Sequence, residues 1–215
     1  MVAFEKKKIM KKIGIYFLIL FFFGSCTPQV FKGLESSGKK RIDKSDLFPF
    51  VVDTTLMYNM QIQYKEADFS GILLIKPVED HSIRMIFTSV FGLTVFDFEF
   101  NETEFKVNRS IEQLQKKKIL NLFKNDFRAL FSYHLPQAFE AKVYEKEQTP
   151  VGYKIKTSDG KAYFLTHEKQ LKRIEMPATM TSLKIDFQSY KNNLPERILI
   201  SHPGLKLNMQ LERVE

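Results

Sequence analysis

Between Ser82 and Phe100 the chain reads SIRMIFTSVFGLTVFDFEF, with apolar side chains at every second residue on both sides of a short break. Ile83, Met85 and Phe87 alternate with Arg84 and Thr88; Phe96, Phe98 and Phe100 alternate with Asp97 and Glu99. A period of two is what a strand needs when one face is buried and the other meets water. The break, Thr88-Ser89-Val90-Phe91-Gly92, has turn residues at Ser89 and Gly92 but an apolar pair at Val90-Phe91. Such a tip either tucks under its own sheet or stays outside for an apolar partner. Both readings are open from these residues alone.

The same period governs most of the chain. Leu56, Tyr58, Met60, Ile62 and Tyr64 share one face of a strand over 55–64, and Phe69 to Lys76 continues after it. Short strands are expected at 104–107, 141–144, 152–157, 161–166, 171–176 and 183–188. A closing pair is expected over 197–201 and 205–211. Only one segment changes period. Ile119, Leu120, Leu122, Phe123, Phe127, Leu130 and Phe131 recur at three and four, opposite Asn121, Lys124, Asn125 and Arg128. This predicts an amphipathic helix over 119–131, with a further helical turn within 111–118 and Pro136 closing the region. The expected fold is mainly β with a helical insert (α+β). It is a curved antiparallel half-barrel of about ten or eleven strands, capped by the helix. With 21 Phe and no Trp, its interior is rich in flat rings that need no hydrogen bond. That interior can be a solid core or an apolar cavity.

The N-terminus bounds the compartment. Lys6, Lys7, Lys8, Lys11 and Lys12 precede the apolar run Ile13 to Phe23, and Gly24-Ser25-Cys26 follows. The run is shorter than the ~20 residues a bilayer span takes, and it has the flanks of a secretory signal. Cys26 is the only cysteine, which excludes a disulfide framework. Small residues before a Cys resemble the lipobox of bacterial lipoproteins. That resemblance implies cleavage before Cys26, a diacylglycerol on its thiol and an acyl group on the new amine, each buried methylene adding ~0.8 kcal/mol of anchoring. Taking five Lys and Glu5 from the whole-chain charge of +8 leaves +4, too mild for a nucleic-acid footprint. The expected organisation is a signal at 1–25, a lipidated Cys and flexible tether at 26–50, and one domain at 51–215.

No reaction chemistry is legible. His81, His134, His167 and His202 fall in separate loops without Cys partners or an i, i+4 pair, so no metal motif forms. There is no G-x-S-x-G, P-loop or dinucleotide fingerprint. Ser201-His202 is only an adjacent pair beside a turn, and Asp97, Glu99 and Asp186 fall on outward strand positions where solvated surface is expected. No enzyme, metal or cofactor is expected.

A lipobox, a polar tether, a one-sided antiparallel sheet and a helix inserted after the fifth strand resemble the LolA/LolB group of periplasmic lipid-carrying half-barrels. Within that group the outer-membrane receptor LolB, itself a lipoprotein, is the better match. The best local stretch is IRMIFTSVFGLTVFDFEFNETEFKV (83–107), a strand, an apolar turn ending in Gly, and a strand of alternating apolar and acidic residues. LPERILISHPGLKLNMQLERV (194–214) resembles the closing hairpin. Leu74 and Ala129 stand where the group often carries Trp, and the helix lacks its Leu-Pro turn. The resemblance implies a cavity under the helix that takes the acyl chains of lipoproteins from a LolA-like carrier and passes them to the outer membrane. Val90, Phe91 and Gly92 would form the catch. Met85, Phe87, Phe96, Phe98, Phe123, Phe127, Phe131, Ile185, Phe187 and Met209 would line the cavity. The protein would be a monomer on the periplasmic face of the outer membrane, held by its N-terminal lipid. Thr27-Pro28 after Cys26 favours that membrane, since no Asp follows the cysteine. Two other readings stand beside this one: a carrier of another envelope lipid, and a structural or interaction lipoprotein with a solid interior.

Overall fold

The computed structural model describes residues 28–48, 52–79, 82–147, 149–157, 160–177 and 182–214. The signal, Cys26 and His81 lie outside them, as do Ser158 and Asp159 of one expected turn. The chain divides into two compact units, Met1–Lys32 and Gly33–Glu215. The described part of the first carries one 3-10 turn, Gln29–Phe31.

The second unit is one open antiparallel sheet of 13 strands with two α-helices among the described residues. Strand β1 (Glu35–Asp43) leads into helix α1 (Lys44–Leu47). Strands β2 (Leu56–Tyr64), β3 (Ala67–Pro77), β4 (Ile83–Ser89), β5 (Thr94–Phe100) and β6 (Phe105–Ser110) form a meander. A 3-10 turn, Glu112–Leu114, opens helix α2 (Lys117–Leu130). The chain then adds β7 (Ala138–Glu145), β8 (Val151–Thr157), β9 (Gly160–His167), β10 (Gln170–Met176), β11 (Leu183–Lys191), β12 (Leu194–Ser201) and β13 (Leu207–Arg213). The spatial order is β1-β7-β8-β9-β10-β11-β12-β13-β2-β3-β4-β5-β6, so the closing strand β13 pairs with β2 and joins the two meanders.

Register follows from the one-sided strands, because a slip of one residue would turn every apolar side chain to water. In β2, Leu56, Tyr58, Met60 and Ile62 are buried while the residues between them are exposed. Inward partners meet across the ladder at Tyr58↔Leu73, Met85↔Phe98, Phe87↔Phe96, Ile185↔Ile200 and Ile198↔Leu211. These side chains and the apolar stripe of α2 form one contiguous core. Phe123 and Phe127 of α2 stack on each other at 5.7 Å, and they meet Phe96, Phe98 and Phe100 of β5. Each such ring is worth about 1.5–3 kcal/mol when taken from water, so the stripe of α2 supplies most of what holds it to the sheet.

The structure corrects the sequence reading in two places. The sheet has 13 strands where ten or eleven were expected, and nine residues assigned to a flexible tether form β1. Its sequence, ESSGKKRID, is almost wholly exposed and has no apolar alternation to read. It is held by its backbone ladder to β7 and by ion pairs across that ladder, Lys39–Glu140 at 2.6 Å and Lys40–Glu145 at 3.2 Å. The helix starts two residues earlier than expected, and Phe131 is its C-cap.

Candidate functional site

The β4–β5 turn is built by three backbone devices. Gly92 N–H donates to the Ser89 carbonyl at 2.9 Å, and Ser89 N–H donates to the Leu93 carbonyl at 2.9 Å. Gly92 takes φ +79°, the left-handed conformation that completes a three-residue hairpin loop. The Ser89 hydroxyl accepts from Leu93 N–H. A register shift follows, so that Thr88 pairs with Thr94 while Phe87 pairs with Phe96, and Val95 is the extra, buried residue. On the other side Val90 N–H donates to the Ser70 carbonyl. This approach needs Gly71, since a Cβ there would lie 2.0 Å from the Thr88 carbonyl oxygen.

That geometry points the tip outward. Phe91 is 94 % exposed, Val90 70 % and Leu93 53 %. Three large apolar side chains on one loop form a patch that a folded chain rarely leaves in water without a use. Immediately below, Phe87 and Phe96 are fully buried with ring centroids 5.5 Å apart. Phe96 stacks on Phe98 at 4.5 Å and 6°. A continuous aromatic row therefore runs from the base of the tip to α2.

The residues expected to line a cavity lie in the core, except Phe131. Met85, Phe87, Phe96, Phe98, Phe123 and Phe127 are fully buried together between β4, β5 and α2. Phe131 is only partly buried, at the rim, 5.6 Å from Phe100. Ile185, Phe187 and Met209 belong to the same core through the other half of the sheet, on β11 and β13. These side chains belong to one contiguous buried cluster. A depression of about 370 Å³ lies on the outer face, lined by Asn59, Gln61, Ser70, Ile72, Val90, Gln210 and Glu212 among others.

The sequence reading missed a buried acid–imidazole couple inside the core. Asp126 of α2 is fully buried, and its Oδ2 lies 2.9 Å from His202 Nε2. His202 Nδ1 lies 3.2 Å from the Ser182 carbonyl. That carbonyl can only accept, so Nδ1 carries a hydrogen. One further proton is then shared between Nε2 and the carboxylate. Burial pulls His202 down, but the hydrogen bond and charge of Asp126, with the Ser182 carbonyl, outweigh it and hold the imidazole above its ordinary value. Burial pushes the Asp126 carboxyl up against the pull of His202. Asp126 Oδ1 has no hydrogen-bond partner. The available signal was Asp126 itself, an acid at the helical position three after Phe123 and four after Leu122, inside the apolar stripe. With both ring nitrogens engaged, His202 has none left to take a proton from Ser201.

The outer-face acids are also more than solvated surface. The Asp97 carboxylate accepts from Arg84 Nε at 2.8 Å and from Asn108 at 3.3 Å. Arg84 holds its carboxyl below the usual range. Asp186 is paired with Arg173 and Lys184. Among the described residues there is no group of three or more metal-binding side chains, and no helix is long and apolar enough to cross a membrane. Scanned against models of known protein families, the chain matches none, and no curated protein is significantly similar to it.

Proposed function

We propose that the protein is a lipid-anchored envelope lipoprotein, tethered through Cys26, whose β domain binds acyl chains beneath α2. On this reading it resembles LolB: it receives lipoproteins from a LolA-like carrier and inserts them into the outer membrane. The observation that carries the proposal is the outward apolar tip, Val90-Phe91-Leu93, set on a row of buried rings leading to α2. Phe91 meets the acyl chain first. Phe87 and Phe96 continue the path, and Phe98, Phe123 and Phe127 form its walls. These walls are in contact in the free protein, so α2 must move off β5 to admit a chain, each methylene entering being favourable by about 0.8 kcal/mol. No residue performs chemistry in this scheme.

The test is transfer of a fluorescent fatty-acyl probe from a carrier to vesicles by the chain and by Phe91→Glu. The variant should fold as the parent does and lose transfer. Undiminished transfer by a folded Phe91→Glu protein would contradict the role of the tip.

A second reading, a structural or interaction lipoprotein with a solid interior, is favoured by one observation. The rings of Phe96, Phe98, Phe123 and Phe127 lie 4.5–6.4 Å from one another, the spacing of a packed core. On that reading no acyl probe enters, and Phe91→Glu disturbs only a protein contact.

A further inference from the structure

The start of α2 breaks the rules of helix design. Lys116 is its N-cap, without a side-chain capping bond, and Lys117 and Lys118 occupy the first turn, which holds no acid. The N-terminus of a helix is the positive end of its dipole, where carboxylates stabilise and cations destabilise. All three lysines are exposed, and none takes part in an ion pair among the described residues. Positive charge accumulated where it opposes folding, with no ion pair among the described residues to offset it, marks a surface kept for something outside it.

The surroundings say what that is. Ile111 N–H donates to the Val95 carbonyl at 3.0 Å, and the Gln115 side chain donates to the Ser110 carbonyl at 2.9 Å. These bonds hold the segment leading into α2 beside Val95, at the tip end of β5. Arg109, the last residue but one of β6, is exposed. Across the tip, Lys65 and Lys206 lie on adjoining turns, joined by Lys65 N–H to the Lys206 carbonyl at 2.7 Å, and both side chains are exposed. Neighbouring carboxylates include Glu66, Asp68 and Glu112, and Asp97 lies opposite Arg109 across the ladder. Six exposed cations therefore lie on the segments that flank three exposed apolar side chains.

We infer that this end of the sheet is a docking face for an anionic phospholipid bilayer. Phe91, Val90 and Leu93 enter the apolar layer, while Lys116, Lys117, Lys118 and Arg109 on one side, and Lys65 and Lys206 on the other, bind headgroup phosphates. Apolar side chains ringed by cations match a bilayer surface, which presents negative charge above hydrocarbon. A soluble anionic partner would leave the tip in water. The inference rests on the reading that the tip meets lipid, and it adds the lipid class and the residues that select it.

The test is flotation of the chain starting at Thr27, which lacks the signal and the lipid but keeps the whole Gly33–Glu215 unit, with vesicles of phosphatidylcholine alone or with 30 % phosphatidylglycerol. A lysine at a charged surface contributes about fivefold in partitioning. The parent should therefore bind the anionic vesicles at least ~100-fold more tightly than the neutral ones, and lose most of that preference in 0.5 M salt. Lys116→Gln/Lys117→Gln/Lys118→Gln should fall by about 100-fold on anionic vesicles with an unchanged circular dichroism spectrum. Equal binding to both vesicles, a triple variant that binds like its parent, or binding to an anionic polymer with none to vesicles would each overturn the inference. The fatty-acyl probe is measured on the parent and on the triple variant without vesicles, and the parent's result separates the two claims. Probe uptake by a parent that ignores anionic vesicles would refute the docking face alone; vesicle binding by a parent that takes up no probe would refute only the acyl-binding role.

Discussion

Replacing His202 by Ala removes the proton donor to a carboxylate that has no exit to solvent. Asp126 Oδ2 loses its 2.9 Å partner, and Oδ1 has none. Breaking a buried pair by deleting one partner costs about 3–5 kcal/mol, against a total stability of about 5–15 kcal/mol for a domain. Replacing both, Asp126→Leu with His202→Phe, continues the apolar stripe of α2 and should cost less than 1 kcal/mol or stabilise. The sign of the pH dependence follows from the raised imidazole. Its stabilisation is complete below the unfolded value of about 6.5 and is lost as pH rises through the higher folded value. Asp126, pushed the same way, takes up a proton more readily folded than unfolded, so it adds no acid lability. Urea unfolding followed by circular dichroism at pH 6, 7.5 and 9 reads this directly. The parent should lose stability from pH 6 to pH 9, and the double variant should lose less. A cost below 1 kcal/mol for His202→Ala, or identical pH profiles for parent and double variant, would refute the clasp between α2 and the sheet.

Phe91→Glu should change stability by less than about 0.5 kcal/mol in urea unfolding, since the ring is exposed. Phe96→Ala, two strand steps away but fully buried, should cost about 3–5 kcal/mol. Equal effects would mean the tip is part of the core. Gly71→Ala must push β3 from β4, since its Cβ would meet Thr88 O, and should cost at least about 1–3 kcal/mol by the same measurement. A neutral Gly71→Ala would contradict the close approach. Amides of Glu35–Asp43 bonded to β7 should exchange with deuterium far more slowly than an unstructured segment. Exchange at the free-chain rate would return these residues to a tether.

The alternation in β2, β4, β5, β11 and β13 was legible because each strand has one wet and one dry face, and a strand so marked carries its own register. β1 was not, because a polar edge strand is held by backbone bonds that any sequence can make. The stripe of α2 was legible from its Phe and Leu spacing, but Asp126 within it was passed over. A buried acid is visible in sequence only as a break in the stripe, and its partner lies 76 residues away. The direction of the tip turned on Gly92 and the Val95 register shift, and of these only the glycine could be read beforehand. The outer-face pairs Arg84–Asp97 and Arg173–Asp186 link residues 13 apart on neighbouring strands. They became assignable only once each hairpin register was known. The interior was the least legible part, since the same Phe residues serve a cavity wall and a packed core.

The account turns on whether that interior takes lipid. The direct measurement is mass spectrometry of the chain from Thr27, expressed in its native host and purified without detergent. The account predicts stoichiometric acyl-chain lipid in the parent and its loss in Phe127→Glu or Phe98→Glu variants that remain folded. A parent that purifies folded and free of lipid, and takes up none when incubated with vesicles, would contradict it.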